Sequence, residues 1–319
     1  MARLACFAIM LSVALPTAGL AQTSAPDTWN PRTADGHPNL QGVWDYRTMT
    51  PLERPTELGD QKFFTNEEAA AFQQQGVERR DKDQRADEVG AAQDVGNAYN
   101  EFWWDYGKTL TADKRTSLIV DPPDGQIPYK EGLDRGRRQR GYDGPESRGL
   151  WERCMTRDLP RLSGAYNNNF QIIQGADHVA IVNEMIHEVR MIPLDGRPHV
   201  GDGIRQWQGD SRGQWDGDTL VIETTNFTDR TNFRGSHENL HLVERLTRMD
   251  ADTLLYEFTV EDPTVWTQPW SVAVPMIRNT ELMYEYACHE GNYGMTNLLN
   301  GARVQEKAAM VAPTTESSR

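Results

Sequence analysis

Strict alternation between Arg205 and Pro269 constrains this chain more than any other feature of its sequence. Leu220, Ile222 and Thr224 point one way while Val221, Glu223 and Thr225 point the other. Tyr256, Phe258 and Val260 alternate in the same manner with Leu255, Glu257, Thr259 and Glu261. A period of two belongs to strands with one dry and one wet face, the mark of an antiparallel sheet. Asp216-Gly217 between Gln214-Trp215 and the run Asp218 to Thr225 favours the positive φ angles of a two-residue hairpin turn. Asp250-Ala251-Asp252 makes a longer polar turn between Leu240–Thr247 and Thr253–Glu261.

Further strands are expected at Leu40–Tyr46, Ser117–Val120, Phe170–Gln174, a long His178–Pro193, Ser271–Met276 and Leu282–Ala287. Thr65 followed by Glu68 reads as a capping box opening a helix toward Gln75 or Lys82, and a second helix is expected over Ala91–Tyr106. Asn292–Lys307 is expected to be a terminal helix. Eight or more short strands joined by tight turns point to a mainly β, antiparallel, closed or nearly closed calycin-like barrel, with helical additions in the first third and at the C-terminus. Closure removes sheet edges, and a barrel of about eight strands can hold one small ligand. The expected organisation is a leader over 1–21, an extended arm over 22–39, one barrel-like domain over 40–303 with a helical insertion near 65–110, and a tail over 304–319.

Met1–Ala21 carries Arg3, an apolar run from Leu4 to Leu15 and small residues before Ala21, the pattern of a cleaved export signal. The run is shorter than the ~20 residues needed to span a bilayer, and no later stretch is apolar enough. Export makes the protein periplasmic or secreted. It also removes Cys6, leaving Cys154 and Cys288, most simply a disulfide in an oxidising compartment; two buried thiols are the alternative. The net charge of −14 argues against nucleic acid and anionic membrane as partners.

Gly42-x-Trp44 resembles the opening strand of lipocalin-like barrels. The blocks YNNNFQIIQ, EMIHEVRMIPLDGRPH, GDSRGQWDGDTLVIETTNF and EYACHEGNYGM, within about Trp44 to Arg303, resemble a large uncharacterised family of exported bacterial proteins. That resemblance implies a single fold unit and an extracytoplasmic location. It brings no catalytic residues with it.

Three constellations carry possible chemistry. His237-Glu238-Asn239-Leu240-His241 matches H-E-x-x-H, a zinc motif when it lies on a helix, with His289 or Glu290 as a third ligand. On the strand expected from Leu240 the two imidazoles would instead stand ~13 Å apart at ~3.3 Å per residue. Glu184, Glu188 and Arg190 share one face of the expected long strand, with Glu223, Glu244 and Glu257 on later ones. They face solvent if the barrel is dry, and crowd together with raised pKa values if its lumen is polar. Finally, a bridge at Cys288 would immobilise His289, Glu290 and Tyr293, candidates for proton transfer, beside Tyr166, Asn167, Asn168 and Asn169, whose amides can orient a polar group.

Phosphate-loop, dinucleotide, nucleophile-elbow and haem-attachment motifs are not found in the sequence. The expectation is an exported cofactor-free enzyme (lyase, isomerase or hydrolase) acting on a small apolar or aromatic molecule held in the barrel. The alternatives are a non-catalytic small-molecule-binding protein and a zinc-dependent hydrolase using His237, Glu238 and His241. No metal or other cofactor is expected for the leading reading. Substrate-binding roles fall to Tyr166, Asn167, Asn168, Asn169, Glu184 and Arg190.

Overall fold

A computed structural model describes residues 31–80, 104–133, 148–157 and 159–311. The expected leader over 1–21, residues 22–30 of the expected arm, residues 81–103, which hold most of the second expected helix, and the end of the expected tail lie outside them.

Ten strands form one antiparallel sheet: β1 (Gly42–Asp45), β2 (Ile119–Asp121), β3 (Asn169–Gln174), β4 (His178–Asn183), β5 (Val189–Pro193), β6 (Asp210–Asp216), β7 (Thr219–Thr225), β8 (His241–Arg248), β9 (Thr253–Glu261) and β10 (Trp270–Asn279). Their order is β5-β4-β3-β1-β10-β9-β8-β7-β6, with β2 paired to the first part of β10. No ladder joins β5 to β6 among the described residues, so the sheet is not closed by hydrogen bonds. Its two edges nevertheless approach. A Cβ on Gly213 of β6 would fall 2.9 Å from Ile192 of β5 and 2.6 Å from Leu194, so a side chain there would have to displace both.

The alternating pattern sends its apolar side inward. Trp44, Phe170, Ile172, Ile181, Ile192, Leu220, Ile222, Phe258 and Trp270 belong to one continuous core. Within it lies a polar group. Arg190 of β5 reaches across to Glu244 of β8, with Nη2 donating to Oε1 at 3.0 Å and Nη1 to Oε2. The Tyr256 hydroxyl of β9 donates to the same carboxylate at 2.9 Å. All three side chains are buried. Burial, reinforced by the charge of Glu244, pushes the Tyr256 hydroxyl well above its ordinary value and keeps its proton in place as a donor. The cavity beside this trio measures about 10 Å³, room for about one water. Around this trio the interior is filled by side chains, and the space beside it is too small for an organic ligand.

Helix α1 (Asn66–Arg80) begins with the expected capping box: the Glu68 amide donates to Thr65 Oγ1 at 3.2 Å, and the Thr65 amide to Glu68 Oε2 at 2.8 Å. It lies outside the sheet on a smaller cluster of Met49, Phe64, Ala69 and Leu110. Helix α2 (Gly294–Val311) confirms the terminal helix and extends it into the expected tail. Among the described residues no helix is long and apolar enough to cross a membrane. The arm is tied down at its end, where His37 stacks on Trp215 at 4.5 Å and Arg32 pairs with Asp218.

Four expectations need correction. The hairpin turn between β6 and β7 is Gly217-Asp218, one residue later than expected, with φ +59° at Gly217. The long strand over His178–Pro193 is two strands, β4 and β5, which pair with each other across a tight Glu184–Glu188 connection. Leu282–Ala287 is irregular, lying beyond the end of β10 rather than in the sheet. Trp104–Tyr106, the described end of the second expected helix, is not helical.

Removing one partner of the buried pair leaves an uncompensated charge in the core. Arg190→Met and Glu244→Leu should each lower unfolding free energy by about 3–5 kcal/mol in urea titrations, and the double variant should recover most of that loss. Single variants within about 0.5 kcal/mol of the wild type would show that the trio is not stabilising the interior.

Candidate functional site

Asn169 and Glu184, singled out in the sequence, lie with residues of the segment 280–293 at the outer face of β1, β3 and β10. In the ladders Asp45 stands between Asn169 of β3 and Ile277 of β10, all three pointing outward because Trp44, Phe170 and Met276 point in. Chain segments flank this strip. On one side α1 and residues 104–109 enclose a groove of about 370 Å³ lined by Asp45, Arg47, Arg80, Trp104, Tyr106 and Lys108, among others. On the other, residues 280–293 form a strap held by the Cys154–Cys288 disulfide, whose Cα atoms are 5.8 Å apart.

The groove combines rings and charges. Trp104 stacks on Tyr106 at 5.5 Å and on Tyr166 at 5.8 Å, and the Arg80 guanidinium lies 4.6 Å from the Tyr106 ring centre. Arg47 bonds Asp45 through Nε at 2.7 Å and Asp105 through Nη1 at 2.6 Å. Its bond to Asp45 raises the guanidinium above its ordinary value, outweighing partial burial, so its charge is fixed. Three cations and two carboxylates among the lining residues leave this groove with one net positive charge, on a protein whose overall charge is −14.

The Tyr166–Asn169 turn packs against the groove residues Trp104 and Asp105. Asn167 takes φ +52°, a conformation asparagine tolerates. Asn168 is buried and spent on structure: its Oδ1 accepts from the Gly164 amide at 2.7 Å, and its Nδ2 donates to the Asp105 and Gly164 carbonyls. Asn169 continues into a network under the strap. Its Nδ2 donates to Glu184 Oε2 at 2.7 Å, and its Oδ1 accepts from Asn279 Nδ2 at 3.0 Å. The other Glu184 oxygen accepts the Tyr284 amide of the strap at 2.9 Å. Glu184 is thus a buried carboxylate that fastens the strap to the sheet.

The Glu184–Glu188 connection is unusual in its backbone. Ile186 has φ +66° and His187 φ +53°. A β-branched residue in the left-handed region is a true outlier, costing about 1–3 kcal/mol, and such strain clusters where function needs it. His187 is exposed, and its Nε2 accepts the Tyr286 amide at 3.3 Å. Beyond the turn, Glu188 pairs with buried Arg161. Arg190 points to the interior, away from Glu184, so the shared face expected for Glu184, Glu188 and Arg190 is broken at the kink.

His289, Glu290 and Tyr293 all lie exposed on the strap, Tyr293 at 72 %. No hydrogen bond among the described residues joins their side chains to Asn169 or Glu184; the covalent strap is what they share. His237 and His241 do not share a helix face. The His237 Nδ1 lies 2.6 Å from the Thr231 carbonyl, while His241 opens β8 with its Nε2 2.8 Å from Glu223. Arg47, Arg80 and Lys108 carry no signal in the sequence, since isolated cations make no pattern; Trp104 and Tyr106 entered only at the end of the second expected helix.

The chain matches no family model and no curated protein.

Glu184→Ala would leave the buried Asn169 amide without an acceptor, at about 1–3 kcal/mol, and release the Tyr284 N–H of the strap. Limited proteolysis should then cut within 280–287 much faster than in wild type with the disulfide intact. An unchanged digestion pattern would show that Glu184 does not fasten the strap.

Proposed function

We propose that this is an exported small-molecule-binding protein, built as a calycin-like barrel with its two sheet edges abutting, that takes a small aromatic molecule bearing an anionic group. Binding occurs in the groove between α1, residues 104–109 and the outer face of β1 and β10. The observation that carries this reading is the groove's net positive charge beside stacked rings on a strongly acidic protein. An aromatic ring can stack on Trp104 or Tyr106, and an anion can meet Arg80, Arg47 or Lys108. A volume of about 370 Å³ falls within the ordinary range for small-ligand sites. Export is supported by the leader pattern of Met1–Ala21, by the resemblance of the chain to an exported family, and by the Cys154–Cys288 bridge.

A second reading, a cofactor-free lyase, isomerase or hydrolase, is favoured by one observation: the strained Ile186–His187 backbone beside the buried Glu184. There His187 would move a proton and the strap would position the substrate.

Titration of tryptophan fluorescence with a series of aromatic carboxylates separates these readings. Binding should be detected, and Trp104→Ala and Arg80→Ala should each weaken it about 10-fold, equivalent to ~1.4 kcal/mol. Affinity untouched by both variants would contradict the groove assignment. Turnover of a bound acid that disappears in His187→Ala, with affinity kept, would move the enzyme reading to first place.

A further inference from the structure

A separate set of side chains lies on the outer face of β6, β7 and β8. Asp210, buried at the start of β6, holds the segment before it: His199 Nδ1 and the Val200 amide each lie 3.0 Å from Oδ2, and Arg212 Nη1 donates to Oδ1 at 2.7 Å. With Nδ1 committed as a donor to that carboxylate, His199 presents Nε2 as a lone-pair nitrogen. That nitrogen is buried without a hydrogen-bond partner and lies 3.8 Å from Glu223 Oε2. On the far side of Glu223, His241 Nε2 lies 2.8 Å from Oε1. His241 Nδ1 in turn faces Glu261, its partner across the β8–β9 ladder, at 3.9 Å.

We propose that His199, Glu223 and His241 form a binding site for a divalent transition metal of the zinc type, with the two Nε2 atoms and the Glu223 carboxylate as ligands. Tetrahedral zinc with bonds of ~2.0–2.2 Å places neighbouring donor atoms roughly 3.3 Å apart. The two nitrogen–oxygen separations, 2.8 and 3.8 Å, bracket that spacing. Each imidazole also has a carboxylate on its Nδ1 side, Asp210 for His199 and Glu261 for His241, the arrangement that orients metal-bound histidines. Asp210, Glu223 and Glu261 bring three carboxylates here, with Arg212 paired to the first of them, so the position attracts positive charge. Imidazole and carboxylate together suit zinc and its neighbours.

Among the described residues no three such groups already converge on one point. Convergence requires the Glu223 carboxylate, whose side chain is 52 % exposed, to turn and the two imidazoles to close on it. His241 is held at the start of β8, and His199, in the segment between β5 and β6, is held by Asp210. Three protein ligands would leave a fourth position for water or a ligand oxygen. The site uses one histidine of the H-E-x-x-H match and discards the other, because strand geometry turns His241 toward Glu223 and leaves His237 on the Thr231 carbonyl.

The test is calorimetric titration of the dialysed, purified protein with zinc and with cobalt(II), repeated on single variants whose fold is checked by circular dichroism. One metal per chain is expected. His199→Ala, Glu223→Gln and His241→Ala should each weaken binding by at least about 10-fold. His237→Ala should leave it unchanged, and cobalt should give the visible absorption of a four-coordinate ion. Glu223→Gln sits on an exposed strand position, so it changes the ligand without touching the core. The proposal is overturned by a wild-type protein that takes up no stoichiometric metal, by binding that survives Glu223→Gln unchanged, or by binding lost in His237→Ala.

Discussion

The contact on which the arrangement depends is the buried Arg190–Glu244 pair with the Tyr256 hydroxyl bonded to the same carboxylate. It spans the interior from β5, at one edge of the sheet, to β8 and β9 near the other. Two charges removed from water are tolerated only with close geometry and satisfied hydrogen bonds, and both conditions hold around Glu244. The trio thus ties β5 to β8 and β9 across the interior, and with its apolar neighbours it leaves room beside it for about one water. Ligand-sized space is found instead on the outer face, where helix α1 and residues 104–109 wall off a groove.

Much of this fold was legible because its strands carry one wet and one dry face. Leu242, Glu244, Leu246 and Arg248 go in while His241, Val243, Arg245 and Thr247 go out, and β9 follows the same rule. The capping box at Thr65 was equally readable, since both of its bonds are local. Turn geometry was less so. Asp216-Gly217 and Gly217-Asp218 offer the same turn chemistry one residue apart, and the β6–β7 register decides between them. The kink at Ile186 and His187 could not be read at all. Isoleucine signals a strand, and only tertiary restraint from Asn169, Arg161 and the strap holds it left-handed.

The site was legible in its parts more than in its assembly. Asn169, Glu184 and the cysteine pair meet beneath and beside the strap, the neighbourhood expected from the Asn-rich turn and the Cys288 segment. Asn168 is consumed by backbone caps, and Arg190 belongs to the interior, because the break between β4 and β5 sends Glu184 and Arg190 to opposite sides. Arg47 and Arg80 reach the groove from the end of β1 and the end of α1, a meeting that depends on helix docking and leaves no periodic trace. His199 and His241 are 42 positions apart and share Glu223 only through the β6–β7–β8 register. A linear motif search finds His237 instead.

The central claim is that small molecules are taken on the outer face of the sheet and not inside it. A crystal structure of the protein soaked with an aromatic carboxylate that binds in solution tests this most directly. The ring is expected against Trp104 or Tyr106 and the carboxylate toward Arg80, Arg47 or Lys108, with the Arg190–Glu244–Tyr256 contacts unchanged. Density for the ligand among Ile181, Leu246 and Tyr256, with Arg190 drawn away from Glu244, would contradict it.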